Sequence, residues 1–245
     1  EQAMLNVDNA AAYVKWLQDL RDEQKPDGSL PGIVPTGGWG YAWGNGPAWD
    51  SATLLIPWYL YVYRGDLGIL AEHYPSMKRY VDYLGTVARD GIADLGLGDW
   101  APAKTNTPRD LTSTAYFYAD AVILARVAAL LGKDDDASTY HTIANKIKQS
   151  FNSKYMTLDG RVGNSSQTAL SCALLYGLCT QAESVAVASR LAAAVASNDN
   201  HLDVGILGAK ALFRALTDHG YINVAYRIAT QTTLPSYGYW VSRGA

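Results

Sequence analysis

The sequence predicts an all-α protein, an α/α barrel built from helical hairpins, and three observations carry that prediction. Apolar residues recur at helical spacing along the whole 245-residue chain, whereas the alternation typical of strands is weak throughout. Long and short connections alternate between the predicted helices. Helices that are apolar all round alternate with helices that carry a charged stripe, as buried and surface helices do.

Nine helices and two kinds of connection are expected. The short connections, which make neighbouring helices antiparallel, lie at 64–66, near 132–134, near Thr180 and around Thr217. The alternation would place all the long connections at one end of the molecule; they lie at 25–47, 89–109, 153–166, 197–203 and 231–245. The helices are expected at 4–24, 48–63, 67–88, 110–131, 135–152, 167–178, 181–196, 204–216 and 218–230.

The polarity of the helices sorts them into an inner and an outer ring. The first helix of each hairpin is apolar on all sides, as in SATLLIPWYLYVY, AYFYADAVILARVAALL, TALSCALLYGLC and GILGAKALFRAL. The second carries charges, as in MKRYVDYLGTVARD and YHTIANKIKQSF. Residues 1–245 are therefore expected to form a single helical-barrel domain. A closed six-hairpin toroid needs twelve helices, so the barrel is expected to be incomplete at one or both ends. An open helical solenoid is the alternative, although no fixed-length repeat is visible.

Composition and charge exclude several classes of partner. Hydrophobic residues make up 49% of the chain and charged residues 18%, which argues against disorder. The net charge is −3 and no basic run occurs, so neither nucleic acid nor an anionic membrane is expected as a partner. The most apolar stretch, 54–63, has only ten residues and contains Pro57, so no membrane span is expected, and the N-terminus has no signal-peptide pattern. Cys172 and Cys179 are two helical turns apart and are expected to be free thiols.

Tryptophan residues are concentrated on the long connections. Five of the seven lie on or beside these loops, at positions 39, 43, 49, 100 and 240. Exposed tryptophans flanked by glycine suggest a ligand, and a sugar fits because its C–H face stacks on an aromatic ring while its hydroxyls need polar partners. The residues expected to bind substrate are Trp43, Trp49, Asp50, Asp99, Trp100, His201 and Trp240.

Each of these candidates also has a structural alternative. The tryptophans could anchor loops, Asp50 could cap the helix that begins at SATLL, and Asp99 could stabilise a turn. His201 and Asp203 fall short of a metal ligand set, so no metal and no cofactor are expected. Glycosidases need two carboxyl groups across the scissile bond, and Asp50, Asp99 and Asp203 are candidates that do not form a convincing pair.

Five segments together resemble the catalytic barrel of bacterial α-L-rhamnosidases, glycoside hydrolase family 78. They are KWLQDLRDEQKPDGSLPGIVP, GPAWDSATLLIPWYLYVYRGD, LGDW, NHLDVGILGAKALFRALTDHGYINVAYRIA and LPSYGYWVSRGA. The resemblance implies hydrolysis of terminal α-L-rhamnosyl residues with inversion, by a carboxylic acid donor and a glutamate base, without a metal. The substrate implied is a rhamnose-containing glycoside or polysaccharide. A periplasmic or extracellular location is favoured over the cytoplasm.

Two departures from the family pattern place the catalytic carboxylates outside this chain. The family's Asp-Cys-Pro-x-Arg run would precede Glu1, and its Gly-Ala-Thr-Thr-x-Trp-Glu stretch would follow Ala245. The catalytic residues are thus unknown, and the chain alone is expected not to hydrolyse rhamnosides. Its helices 48–63 and 204–216 are expected to have uncovered apolar flanks that favour self-association. A non-catalytic carbohydrate-binding toroid, another α/α-barrel glycosidase or a polysaccharide lyase remain alternatives.

Overall fold

The computed structural model describes residues 2–244, and this part of the chain is helical almost throughout. Glu1 and Ala245, which the single-domain prediction includes, lie outside the described residues. A short 3₁₀ helix spans Gln2–Leu5. The α-helices are α1 (Ala10–Glu23), α2 (Ala52–Arg64), α3 (Leu67–Val87), α4 (Arg109–Leu130), α5 (Asp134–Tyr155), α6 (Gln167–Leu175), α7 (Gln181–Ser197), α8 (Ile206–Asp218), α9 (Ile222–Ala229) and α10 (Tyr237–Ser242).

All nine predicted helices are present, with several boundaries displaced by three or more residues, and a tenth α-helix was missed. The first helix was expected from residue 4, but α1 begins at Ala10, with Asn9 in a non-helical conformation at its N-cap. The region 231–245 was expected to be a loop, yet it contains α10, because the Ser236 side chain accepts a hydrogen bond from the backbone N–H of Tyr239 and caps a short helix. Within residues 2–244, β-structure is limited to isolated bridges at Arg89–Ile92 and Met156–Val162.

The chain divides into two compact units. The first comprises residues 2–97 and 116–148, and the second comprises 98–115 and 149–244. The single domain expected for residues 1–245 therefore stays a prediction.

In the first unit, α1, α2 and α3 pack against one another. The turn between α2 and α3 is as short as predicted. Gly65 ends α2 in the left-handed conformation, and the Asp66 carboxylate accepts the N–H of Ile69 to start α3. Val62 and Tyr63, in the last turn of α2, are exposed, and the uncovered apolar flank expected for this helix stays a prediction.

The second unit is built around α6. Eight consecutive residues of this helix, 167–174, are buried, as expected for an inner helix, and α7 and α8 pack against it. α7 buries one face only, and Thr180 and Glu183 form a capping box at its start. The helix expected to be apolar on all sides at 204–216 departs from this pattern, because α8 is buried along one stripe and exposes Ile206 and Arg214.

Among residues 2–244, α4 alone has the length and apolar composition of a membrane-spanning helix. In its most apolar window, 67% of the residues are buried inside the protein, as in the core helix of a folded domain.

Candidate functional site

Asp99 caps a helix that lies far away in the sequence. Its Oδ1 accepts the backbone N–H groups of Leu207 (2.9 Å) and Gly208 (3.1 Å), and its Oδ2 accepts the N–H of Gly205 (2.8 Å) and the hydroxyl of Thr168. These N–H groups belong to the first turn of α8, which has no side-chain cap of its own. A carboxylate at this position also interacts favourably with the helix dipole.

Two glycines make this approach of Asp99 possible. A Cβ atom at Gly208 would lie 2.1 Å from the Thr168 hydroxyl oxygen, and one at Gly205 would lie 2.4 Å from the carbonyl oxygen of Trp100. A side chain at Gly205 would push the Asp99–Trp100 segment away from the start of α8, and one at Gly208 would displace Thr168, whose hydroxyl donates to Asp99. The GILGAK sequence is therefore explained by close packing around a buried carboxylate.

Asp203 makes the reciprocal connection. It precedes α8, and its Oδ1 accepts the backbone N–H groups of Lys104 (2.8 Å) and Thr105 (3.0 Å), while its Oδ2 accepts the Thr105 hydroxyl. Asp99 thus binds the start of α8, and Asp203, beside α8, binds the segment that follows Asp99. We call this pair of contacts the aspartate clasp.

The aspartate clasp fixes the backbone on both sides of Trp100. Its carbonyl oxygen accepts the N–H of Ile206 (2.9 Å), so its backbone is fixed on the first residue of α8. Its ring is 48% exposed. Trp100 is therefore an exposed aromatic ring on a backbone held from both sides.

His201 and Trp240 lie on other segments of the second unit. The His201 Nε2 is 2.7 Å from the Thr233 hydroxyl, and the His201 carbonyl accepts an N–H from the Gln167 side chain. Trp240, which is 38% exposed, packs edge-to-face on Tyr237 with ring centroids 5.5 Å apart. His201 therefore joins two loops, and Trp240 offers part of its ring to solvent.

In the first unit, Asp50 is buried and bonds to the loop before it. It is 3% exposed, and its Oδ2 accepts the N–H of Gly46 at 2.6 Å. The helix-cap alternative considered from the sequence is wrong, because the N-cap of α2 is Ser51 and this bond runs away from the helix. Burial, and then the charge of Asp120, raise the pKa of the Asp50 carboxyl well above its ordinary value.

Asp50 belongs to a buried acidic cluster that the sequence reading missed. Asp120 is fully buried, and its Oδ2 accepts the Ser51 hydroxyl at 2.6 Å. Tyr80 is also fully buried; burial, and then the charges of Asp50 and Asp120, raise the pKa of its hydroxyl. The signal available in the sequence was the single acidic residue within the apolar run AYFYADAVIL.

The tryptophans of the first unit differ in exposure. Trp39 is 61% exposed and Trp43 is 42% exposed, and their ring centroids are 5.2 Å apart. Trp49 is partly buried, and its Nε1 is a buried donor without a hydrogen-bond partner among residues 2–244. The structure brings Trp43 together with Trp39, a residue absent from the predicted set.

Six of the seven predicted substrate-binding residues fall into two groups, and Trp49, which is partly buried, belongs to neither. Trp43, Trp100, His201 and Trp240 have side-chain surface available for a ligand, whereas Asp50 and Asp99 are buried and bonded to backbone N–H groups. All four acceptor positions of the Asp99 carboxylate are used within the protein. Direct contact of these residues with a sugar stays a prediction.

The structure defines this chain as a domain of helical hairpins with exposed tryptophan residues on several connecting segments. The model of the bacterial α-L-rhamnosidase six-hairpin glycosidase domain matches residues 1–245, and the chain belongs to this family. The predicted fold class, an α/α barrel of helical hairpins, is thereby confirmed.

Relatives and solved structures agree with this assignment. An α-L-rhamnosidase of Streptomyces avermitilis is 38% identical over 99% of this chain, which covers 23% of that relative. A crystal structure of the Streptomyces avermitilis enzyme complexed with L-rhamnose matches with a TM-score of 0.91 at 37% identity, over 96% of this chain and 23% of that one. An α-L-rhamnosidase structure from Dictyoglumus thermophilum matches with a TM-score of 0.90 at 38% identity, over 97% and 28%. The chain spans about a quarter of the curated relatives that it matches.

The aspartate clasp predicts a large stability effect at Asp99. Asp99→Ala would leave three N–H groups at the start of α8 without their acceptor, and each buried unsatisfied group costs about 1–3 kcal/mol. We expect the free energy of unfolding, measured by urea denaturation, to fall by about 3 kcal/mol or more. Asp22→Ala, at an exposed position of α1, is the control and should change it by less than about 0.5 kcal/mol. Equal effects of the two substitutions would contradict the role of the clasp.

The buried acidic cluster predicts a pH-dependent effect at Asp50. Because the folded-state pKa of Asp50 is raised, the unfolded chain loses this proton first as the pH rises above 3.8, and the free energy of unfolding falls until the folded-state pKa is passed. Asp50→Asn keeps an oxygen acceptor for Gly46 and does not titrate. The variant should therefore gain stability relative to wild type at neutral pH, and the gain should shrink as the pH approaches 3.8. A difference that is constant with pH, measured by urea denaturation, would count against the raised pKa.

Proposed function

We propose that the full-length protein is an α-L-rhamnosidase that hydrolyses terminal α-L-rhamnosyl residues with inversion. The observation that carries the proposal is the match of the whole chain to the rhamnosidase six-hairpin domain, together with the TM-score of 0.91 to a rhamnosidase complexed with L-rhamnose. The exposed rings of Trp43, Trp100 and Trp240 are consistent with it, because they offer apolar faces of the kind that stack on a pyranose.

Within this proposal the aromatic and acidic candidates have different tasks. Trp43, Trp49, Trp100, His201 and Trp240 contact the sugar. Asp50 and Asp99 support the segments that carry these rings, since both carboxylates are buried and bonded to backbone N–H groups. A supporting role explains why these acids occur beside tryptophan in the sequence without forming a catalytic pair.

The catalytic acid and base are proposed to lie outside this chain. A general acid or base must reach the substrate, and the two acids of the clasp already hold backbone groups: Asp99 accepts four hydrogen bonds and Asp203 accepts three. These bonds are what a structural carboxylate needs.

Asp203→Asn in the full-length protein tests this assignment. The amide oxygen can still accept the N–H groups of Lys104 and Thr105, so we expect kcat on an aryl α-L-rhamnoside to stay within about tenfold of wild type, with both limbs of the pH–rate profile retained. Loss of a general acid or base would instead lower kcat by about 10²–10⁴-fold and remove one limb. That second outcome would make Asp203 catalytic.

The proposed activity itself is tested with the full-length protein and matched aryl glycosides. We expect hydrolysis of an aryl α-L-rhamnoside, competitive inhibition by L-rhamnose, and at least about 100-fold lower kcat/KM on the aryl α-D-mannoside, because a site with polar partners for each hydroxyl discriminates strongly. Binding of L-rhamnose without turnover would point to a carbohydrate-binding toroid. Preference for the mannoside would point to another glycosidase.

A further inference from the structure

Gln167, the first residue of α6, binds the backbone of another segment of the second unit through its side-chain amide. Its Nε2 donates to the carbonyl oxygen of His201 (3.1 Å), and its Oε1 accepts the backbone N–H of Asp203 (2.9 Å). Gln167 is only 4% exposed. A carboxylate would lack the donor, and a thioether or hydrocarbon would make neither bond, so the contact depends on an amide at this position.

The segment that this amide binds, residues 198–201, contains two residues in the left-handed conformation, and we call it the His201 turn. Asp199 and Asn200 have φ angles of 51° and 57°. Asp and Asn tolerate this conformation better than most residues, yet it persists only where surrounding contacts fix it. The Asn198 side chain supplies one such contact, because its Nδ2 donates to the His201 carbonyl oxygen at 3.1 Å. That oxygen therefore accepts two side-chain amides.

The His201 turn lies beside the segment that carries Trp100. The Lys104 ammonium group, four residues after Trp100, donates to the Asn198 Oδ1 at 2.8 Å. The Asp203 carboxylate, two residues after the turn, accepts the backbone N–H of Lys104 at 2.8 Å. His201 is thus held close to a segment that presents an aromatic ring.

On its other side the His201 turn is bound to the segment that precedes Trp240. The Gln231 Nε2 donates to the Asp199 carbonyl oxygen (3.0 Å), and the Thr233 hydroxyl lies 2.7 Å from the His201 Nε2. The second ring nitrogen, Nδ1, makes no hydrogen bond within the described part of the chain. It is therefore able to donate to a ligand hydroxyl or to accept from one.

We propose that Gln167 is a positioning residue of the sugar site and that it acts through His201. This inference rests on the proposed rhamnosidase activity, in which His201 contacts the sugar. A hydrogen bond to a sugar hydroxyl is directional, so the imidazole must be held in one place. Gln167 is buried and its amide binds backbone groups, so it would affect the sugar only through the residues that it holds.

His201 depends on Gln167 more than the aspartate clasp does. Without the amide, the His201 carbonyl oxygen would lose one of its two donors, in a turn that two left-handed residues already strain. The Asp203 carboxylate would keep its three bonds to Lys104 and Thr105. The expected consequence of losing Gln167 is therefore a displaced His201 ring.

A double-mutant cycle in the full-length protein tests the assignment. Gln167→Met keeps the length of the side chain and removes both bonds, and His201→Ala removes the ring. We expect each substitution to lower kcat/KM on an aryl α-L-rhamnoside by about 3- to 10-fold, mainly through KM, as for the loss of one neutral hydrogen bond. In the His201→Ala background, Gln167→Met should change kcat/KM by less than about twofold, because the residue through which it acts is absent.

Two further variants separate positioning from folding. Gln181 is the matched control, since it is also the first residue of a helix, α7, but is exposed, and Gln181→Met should leave kcat/KM unchanged. Gln167→Glu keeps an acceptor for the Asp203 N–H and loses the donor to His201, so it isolates the bond that the inference needs. Its effect should equal that of Gln167→Met. All values are taken per folded protein, measured by circular dichroism.

Every outcome decides the inference. A loss from Gln167→Met that disappears in the His201→Ala background supports it. The same loss in both backgrounds would overturn it, because Gln167 would then act on the fold or through another residue. An indifferent Gln167 or His201, or failure of both Gln167 variants to fold, would also overturn it. A wild-type protein that hydrolyses no aryl α-L-rhamnoside would overturn the proposed function as well, whereas an active rhamnosidase with additive substitutions would overturn this inference alone.

Discussion

The second unit depends on the burial of the Asp99 carboxylate at the start of α8. A buried carboxylate is costly to desolvate, and it is tolerated here because donors occupy both of its oxygens. Three of these donors are N–H groups of a helix that would otherwise begin without a cap. The N–H groups at the start of α8 thus stabilise the charge of the Asp99 carboxylate, and the carboxylate in turn caps the helix. The two partners are more than a hundred residues apart in the sequence. The glycines at 205 and 208 follow from the space that this contact requires.

In the first unit, the surroundings of the buried Asp50 disfavour its charged form. Burial and the charge of Asp120 both oppose the ionisation of Asp50, and burial is the larger effect. The hydrogen bond from the Gly46 N–H to Asp50 favours the charged form, so it offsets part of the rise in the pKa of Asp50 that burial and Asp120 cause. This bond also fixes the backbone that follows Trp43. The position of Trp43 is therefore coupled to a carboxyl whose charge is disfavoured by its surroundings.

The hairpins were predictable because helical periodicity and short turns are local features. Thr180 with Glu183, and Gly65 with Asp66, are terminal signals that can be read within a few residues, and the structure forms them. The helix at Tyr237–Ser242 was missed because its Gly and aromatic residues resemble a loop, and only the cap at Ser236 indicates otherwise. The bonds of Asp99 and Asp203 could not be predicted, since they join segments that are about a hundred residues apart. Sequence proximity to tryptophan suggested a sugar contact, whereas tertiary structure decides which way each carboxylate points.

The same tertiary contacts explain why exposed rings and buried acids are neighbours in this sequence. A tryptophan that presents an apolar face to a sugar cannot be held by core packing on that face, so its backbone must be fixed instead. Asp99 and Asp203 fix the backbone around Trp100, and Asp50 fixes the segment after Trp43. A carboxyl group suits this task because its oxygens can accept several N–H bonds at once, as those of Asp99 and Asp203 do. Under the proposed function, the acids of this chain would act on the substrate through the rings they position, and the chemistry of bond cleavage would be left to carboxylates elsewhere in the protein.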